Sequence, residues 1–268
     1  MNSKKIKEHL NKKIEKWIDS VQDKNVKKTI KENVIVTGGA IVSLLTGEEV
    51  NDYDIYFRTK ESLILVVSYY INKWKKDGQP DVTIETNVDE RVILKIPNGG
   101  ILTRDISKIE ENSFDIACIT GNAITLTDDI QIVTRFYGEV EEIHKNYDFI
   151  HCTCCWTSWD DELILPYKAL ECIINKELYY VGSKYPLCSI IRARKYIERG
   201  YHINAGQYLK MCLQLNEMDL LDVETLQDQL VGVDSKYFNM LIKDVKLAKE
   251  KGENIDNNYL IDLINKLF

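Results

Sequence analysis

Residues 34–57 restrict the fold more than any other stretch of this chain. A short β-type run at 33–36 is broken by Gly38-Gly39, and residues 40–45 can then begin a short helix, stopped near Gly47. Residues 52–57 alternate acids with apolar or aromatic side chains, as a strand does. In a strand, residues i and i+2 point to the same face. Asp52 and Asp54 therefore share one face, while Tyr53, Ile55 and Phe57 take the other, which can be buried. Two carboxylates on one face repel each other, and a cation between them removes that cost; oxygen-rich acidic sites suit Mg²⁺. Glycine lets a backbone approach a phosphate closely, and a helix N-terminus offers free N–H groups to an anion. Ser43 lies one helical turn further on and can bond the same phosphates. Taken singly, each feature has a plainer reading: a tight turn for the glycines, an exposed strand for the acids.

The surrounding texture sets the class. Ile6, Leu10, Ile14, Trp17 and Val21 recur at helical spacing, which predicts an N-terminal amphipathic helix. A second helix is expected over 60–76, with Leu63, Val66, Val67, Tyr70 and Trp74 on one side. Beyond Pro80 the pattern turns to β. Strands are expected at 82–84, 92–96, 114–119, 123–126 and 130–133, with turns at Asn98-Gly99-Gly100 and Asp128-Asp129. A further strand is expected from about residue 147 to 154. After Pro166 the texture is helical, with helices near 166–177, 189–199, 205–215, 219–231, 234–250 and 257–267. The expectation is an α+β domain over 1–160 followed by an α-helical domain over 161–268.

Bulk properties narrow the functional classes. No apolar run approaches the roughly 20 residues that cross a bilayer, and the first nine residues are lysine-rich without an apolar core, unlike a secretory signal. The expected compartment is the cytoplasm. Seven cysteines spread through the chain are not a disulfide framework. His151, Cys152, Cys154 and Cys155 crowd too tightly for two pairs of zinc ligands; the cysteines read as buried, reduced thiols and His151 as a packed strand histidine. A net charge of -7 and a pI near 5.3 disfavour a generic nucleic-acid coat. Ten lysines against four acids between Lys4 and Lys31 read as a solvated helix face ahead of an RNA-binding surface.

The features of 34–57 gain force in combination. Twelve residues separate Gly39 from Asp52, and the order is strand, Gly-Gly, helix, Asp-x-Asp strand. This order resembles the signature of the DNA polymerase β-like nucleotidyltransferase superfamily. The run from Val36 to Phe57 looks most like the tRNA CCA-adding type, and it is similar to stretches in phage and large-virus nucleotidyltransferases. The resemblance implies a mixed sheet with flanking helices and transfer of a nucleoside monophosphate from an NTP to a hydroxyl, with release of pyrophosphate. It implies two Mg²⁺ (or Mn²⁺) ions, about 4 Å apart in such sites, held by Asp52, Asp54 and a third carboxylate from a later strand. Asp148 is the choice, because an acid in the apolar stretch Tyr147-Asp-Phe-Ile-His-Cys152 needs a compensating charge. Asp115 is the reserve, and Asp105, next to Arg104, reads as a paired surface acid. The NTP, with ATP or CTP expected, would be gripped by Gly38, Gly39 and Ser43.

In the second half, Arg192, Lys195 and Arg199 fall at helical spacings of three and four and share a face. That face either meets the triphosphate or an RNA acceptor, or is merely solvated with Glu198 as partner. The chain lacks an Arg-Arg-Asp motif near its Asp-x-Asp, so the resemblance does not select tRNA or a base, and the acceptor stays open between RNA, protein and small molecule. Two rival classes remain: a catalytically inactive nucleotide- or RNA-binding protein on the same fold, and an antitoxin-like interaction protein acting through its helical half.

Overall fold

The computed structural model of the chain describes residues 1–87, 90–97, 100–108, 113–230, 235–252 and 255–267. It divides into two compact units: Met1–Lys145 with His151–Ile173, and Asn146–Ile150 with Ile174–Phe268. The division after Ile173 falls within the helix Tyr167–Asn175, and the change of sequence texture lies near residue 160.

The first unit opens with two helices, α1 (Ser3–Ser20) and α2 (Lys24–Asn33). The lysine-rich stretch read as one helix is broken at Val21, where Asp23 accepts from the amides of Asn25 and Val26 and starts α2. An aspartate so placed satisfies orphan N–H groups that a continuous helix would not leave open. There follow β1 (Val34–Thr37), α3 (Gly39–Thr46), β2 (Tyr53–Phe57), α4 (Lys60–Lys76), β3 (Thr83–Thr86), β4 (Val92–Lys95), β5 (Leu102–Thr103), β6 (Ile116–Thr120), β7 (Ala123–Leu126) and β8 (Ile130–Val133). The unit ends with α5 (Val140–His144), β9 (Cys155–Thr157), β10 (Glu162–Ile164) and most of α6 (Tyr167–Asn175). Of the expected glycine turn after β4, residues 98 and 99 lie outside the described residues, as do residues 231 and 234 of two expected helices.

Eight strands form one sheet in the order β10-β9-β1-β2-β8-β7-β6-β5, and β3 pairs with β4 in a separate hairpin. All neighbours in the large sheet are antiparallel except β2 and β8, which are parallel. Directly paired residues share a face, so the register sorts the side chains into rows. Ile55, Ile132, Ile124 and Ile119 are successive partners, and each is fully buried. The neighbouring row on the opposite face is Asp54, Gln131, Thr125, Cys118 and Thr103, none of them fully buried. One face of the sheet is thus aliphatic, and the other carries a polar row across five strands. The helices supply further core: Trp17 of α1 and Tyr70 and Trp74 of α4 are all buried, and the Trp17 indole donates to Tyr70 Oη at 2.6 Å.

Two local predictions change. Phe114 has φ 48°, so the chain kinks there and β6 begins at Ile116 instead of 114. The strand expected over 147–154 is not formed: a 3-10 turn occupies Ile150–Cys152, Phe149 makes an isolated bridge to Tyr180, and the strand that joins β1 is β9. Asp148, Phe149, His151, Cys152, Cys154 and Cys155 are all buried, so the apolar character there reflects enclosure on every side and not a pleat.

The second unit carries α7 (Pro186–Glu198), α8 (Ala205–Leu215), α9 (Val223–Gln229), α10 (Ser235–Glu250) and α11 (Asn257–Leu267). Leu187 and Ile191 of α7 pack with Leu226, Leu241, Val245, Leu260 and Leu263 in one cluster. Phe149, Leu178, Tyr180, Ala193, Tyr201 and Met211 form another.

The Trp17–Tyr70 bond ties α1 to α4 inside the core. Tyr70→Phe removes the acceptor and strands a buried indole N–H, which costs about 1–3 kcal/mol. Urea unfolding is expected to show a loss in that range; an unchanged midpoint and slope would contradict the assigned bond.

Candidate nucleotide and metal site

Val34, Ile35, Val36 and Thr37 of β1 are fully buried, and the chain turns out of the sheet at Gly38. Gly38 has φ 86° and ψ -144°, a conformation open in practice only to glycine. It stands at the N-cap of α3 and provides no side-chain bond to the helix amides, whereas Asn2, Asp23 and Thr59 cap α1, α2 and α4. The first N–H groups of α3 are therefore presented at a turn without a side chain over it, and a Cβ built on Gly39 meets nothing within 4 Å. Ser43 is buried with Ala40, Ile41 and Leu44, and its carbonyl accepts from Gly47 and Glu48 at the far end of the helix.

The β1–β2 register is Val34 with Phe57, Ile35 with Tyr56 and Val36 with Ile55. The pairing ends with Val36 and Ile55, so the end of β1, which Gly38 follows, and the start of β2, which Asp52 precedes, lie at the same end of the strand pair. Asp52 is exposed and Asp54 half-buried, as two carboxylates on an open face require. Tyr53, Ile55 and Phe57 are buried on the other side, as the alternation predicts. Tyr53 Oη lies 2.6 Å from His9 Nε2, with Lys13 Nζ 4.8 Å from the ring centre. Burial, followed by the nearby Asp129 and Asp128, pushes the Tyr53 phenol up to about 12, which keeps it neutral. Burial, and then Lys13 and Lys12, hold the His9 imidazole below its usual value. Tyr53 and the His9 of α1 are thus uncharged packing partners.

The lysine-rich α1 has a definite task in this arrangement. Asp128 and Asp129 both have positive φ, 62° and 60°, in the tight turn from β7 to β8. Lys13 and Lys16 reach Asp128 at 3.2 and 3.3 Å; burial works against the carboxylate's charge, and the two lysines more than offset it.

Two site neighbours escape the sequence reading. Gln131 is level with Asp54 on the parallel strand β8 and shares its face. The only signal for it was one polar residue inside the apolar run Ile130-Gln-Ile-Val133. The other is His144, at the end of α5, whose Nε2 lies 2.8 Å from Thr37 Oγ1. The Thr37 hydroxyl also donates to the carbonyl of Cys154 at 3.0 Å, so its lone pairs are left to the His144 N–H. Burial pushes His144 down to about 4, against a small opposing effect of Glu141. A neutral histidine therefore clamps the residue that precedes the glycine turn. Nothing in local spacing reveals this pair, which is 107 residues apart.

The other predicted acids have other partners. Asp148 belongs to the second unit, is nearly buried, and pairs with Arg192 at 2.7 Å. The compensating charge that its apolar setting demands is thus present as a guanidinium. Burial opposes the charge on Arg192, and Asp148 more than restores it, so its pKa is raised. Asp115 pairs with Lys73 of α4. Asp105 accepts from Ser107, and Arg104 pairs with Asp77 instead of its neighbour. On α7, Lys195 is exposed, Arg199 is the C-cap, and Glu198 pairs with Arg194, not with the predicted trio. Burial pushes the Cys154 and Cys155 thiols up to about 12, so they stand protonated in the core.

Among the described residues, no group of three or more His, Cys, Asp or Glu side chains is gathered for a metal. Asp52 and Asp54 make a two-carboxylate set. Mg²⁺ is commonly held by one or two carboxylates together with substrate phosphates and water, and this set fits that chemistry. Among the same residues, no helix is long and apolar enough to cross a membrane.

Residues 8–176 match the profile of the Gabija anti-defense 2 family, and the chain belongs to that family. It is 22% identical over 235 residues to "Gabija anti-defense 2" of Bacillus phage SPbetaL7, a match spanning 87% of this chain. The chain spans about half the length, 49%, of that relative. Among solved structures it is similar to a Bacillus stearothermophilus CCA-adding enzyme in complex with CTP, with a TM-score of 0.43 and 14% identity over 86% of this chain and 51% of the other. A Thermotoga maritima CCA-adding enzyme complexed with tRNA gives 0.41 and 13%, over 88% and 54%. Likeness at these scores carries no argument about the site, which rests on the residues above.

The His144 clamp gives a pH signature. The unfolded chain takes up a proton near the ordinary value of 6.5, whereas folded His144 resists it down to about 4. Its contribution to stability is complete above pH 6.5 and is lost as pH falls toward 4. His144→Gln keeps an N–H donor without the titration, so urea unfolding at pH 7 and pH 5 is expected to show a smaller acid loss than in the wild type. Equal losses in both proteins would contradict the assignment.

Proposed function

We propose that this member of the Gabija anti-defense 2 family is a divalent-cation-dependent nucleotidyltransferase, moving a nucleoside monophosphate from ATP or CTP to an acceptor hydroxyl. The supporting observation is the β1–β2 register, which brings the uncapped glycine turn that follows β1 and the Asp52-Tyr53-Asp54 start of β2 to the same end of the strand pair. The sequence order that resembles the polymerase β-like superfamily falls on these same residues. The phage relative is named as an anti-defense protein, and the acceptor stays open between RNA, protein and small molecule.

In this reading the first amides of α3 hold the phosphates, and the bare Gly38-Gly39 backbone lets them come close. A cation held by Asp52 and Asp54 would neutralise charge on the triphosphate. Asp54 and Gln131, level on adjacent strands, orient the groups around the α-phosphorus. The acceptor oxygen forms a bond to that phosphorus, the bond to the bridging oxygen breaks, pyrophosphate leaves, and the hydroxyl proton passes to solvent. The chain's contribution is positioning and charge placement. Asp148 and Arg192 hold each other in the second unit.

A second reading is nucleotide capture without transfer. It is favoured by the amide of Gln131, since the residue level with Asp54 adds no third charge. The readings separate in one experiment. With α-labelled ATP or CTP, Mg²⁺ and total host extract, transfer predicts labelled product and pyrophosphate. Asp54→Asn is expected to lower that rate by about 10²-fold or more, on the scale of lost electrostatic stabilisation, with the fold intact because carboxylate repulsion is relieved. Undiminished transfer in Asp54→Asn would contradict the site, and NTP binding without any labelled product would select capture.

Gly39→Val tests the turn. The added side chain meets open space, so the fold is expected to survive. NTP affinity measured by calorimetry is expected to fall, because the side chain stands where the phosphates approach; unchanged affinity would make the turn a turn only.

A further inference from the structure

The lysines of the two N-terminal helices are not alike. Four of the six on α1 reach carboxylates: Lys4 to Glu8, Lys7 to Asp161, and Lys13 and Lys16 to Asp128. The four on α2 are Lys24, Lys27, Lys28 and Lys31. Among the described residues none of these pairs with an acid, and Lys27 alone makes a bond, a long one of 3.5 Å to the Asp19 carbonyl. Val26 and Ile30 are buried on the inner side of α2. At 3.6 residues per turn the four lysines fall within an arc of about 100° on the opposite side. Lys24, Lys28 and Lys31 are exposed and Lys27 is half-buried. Spacings of three and four set each lysine beside another, so the stripe repels itself. Lys24 and Lys27 also stand at the positive end of the helix dipole, with no acid in the first turn. Asp23, the N-cap, is held by the amides of Asn25 and Val26. Acids are not scarce in this chain, which has 42 of them against 35 lysines and arginines, yet none is set against the stripe.

We propose that α2 docks on the phosphate backbone of a double-helical nucleic acid through Lys24, Lys27, Lys28 and Lys31. A polyanion laid along the stripe relieves both the mutual repulsion and the unfavourable dipole. The stripe is about 10 Å long at the helical rise of 1.5 Å per residue. Over that length a duplex presents about six phosphate charges, one per roughly 1.7 Å of its axis, which is ample for four ammonium groups. A single strand is the poorer fit, because its binding surfaces add aromatic rings on which bases stack, and α2 has no aromatic residue. Lysine is a compact point charge on a flexible stem, suited to phosphate without reading bases. The overall acidity of the chain argues against a generic nucleic-acid coat, and it makes a local stripe of this kind the more distinct. The surface is separate from the proposed transfer reaction and does not depend on it.

The test is anisotropy of a short fluorescent RNA duplex, its DNA counterpart and the single RNA strand across a salt series, with polyglutamate as competitor. No NTP or Mg²⁺ is added, so the outcome is independent of the transfer reaction. The wild type is expected to bind both duplexes comparably, because ammonium groups read phosphate and not sugar, and the single strand more weakly. Lys24→Gln/Lys27→Gln/Lys28→Gln/Lys31→Gln is expected to bind the duplexes at least tenfold more weakly, with a salt slope smaller by about 3.6, the value for four lost phosphate contacts on a duplex. Replacing the same four lysines by arginine is expected to keep affinity and slope. Lys243→Gln/Lys246→Gln, at two exposed lysines of α10, is expected to leave binding unchanged and so to exclude a mere effect of net charge. Glutamine matches lysine in helix propensity and relieves the repulsion, so urea unfolding of the glutamine variant is expected at or above the wild-type midpoint. A lower midpoint would assign the lysines to the fold and overturn the proposal. Absence of duplex binding in the wild type, wild-type affinity and slope in the glutamine variant, or tighter binding of the single strand also overturns it. Displacement of the duplex by polyglutamate at equal charge would overturn it in favour of an acidic protein partner.

Discussion

The pairing of β1 with β2 is the constraint on which the rest depends. It joins two short strands whose inner residues are fully buried, Ile35 and Val36 on one and Ile55 and Phe57 on the other. A slip of one residue would turn Asp54 into the aliphatic core and Ile55 out to solvent, at the cost of burying a charge. The register is therefore fixed by burial. With that pairing in place, the glycine turn leaves β1 at the end where β2 begins.

Opposite demands on the two faces of the sheet are met by separate rows. The isoleucine row from Ile55 to Ile119 supplies cohesion, while the row from Asp54 to Thr103 holds groups that can meet a polar ligand. Helix α1 serves the apolar side and also braces the sheet at its turn through Lys13 and Lys16. Its lysines are thus at least partly structural.

What was legible in the sequence was local. The segment from Val34 to Phe57 could be read because its glycines, its acids and its strand alternation all lie within a few residues of one another. Helix α2 was missed because lysines on a solvated face carry no periodic apolar signal strong enough to show the break at Val21. The partner of Asp148 was missed because Arg192 is 44 residues away; the buried acid has a guanidinium as a compensating charge. The partners of His144 and Gln131 were hidden for the same reason. Each acquires its meaning from a neighbour brought up by the sheet, and no single-chain pattern encodes that neighbour.

The central claim is that Asp52, Asp54 and the Gly38-Gly39 turn together form a cation-dependent triphosphate site. Calorimetric titration of ATP and CTP into the protein, with and without Mg²⁺, tests it most directly when repeated on the Asp52→Asn/Asp54→Asn variant. The account predicts that tight binding of the nucleotide requires Mg²⁺ in the wild type and that this requirement disappears, together with most of the affinity, in the variant. Binding that is equally strong without Mg²⁺, or unaltered in the variant, would contradict it.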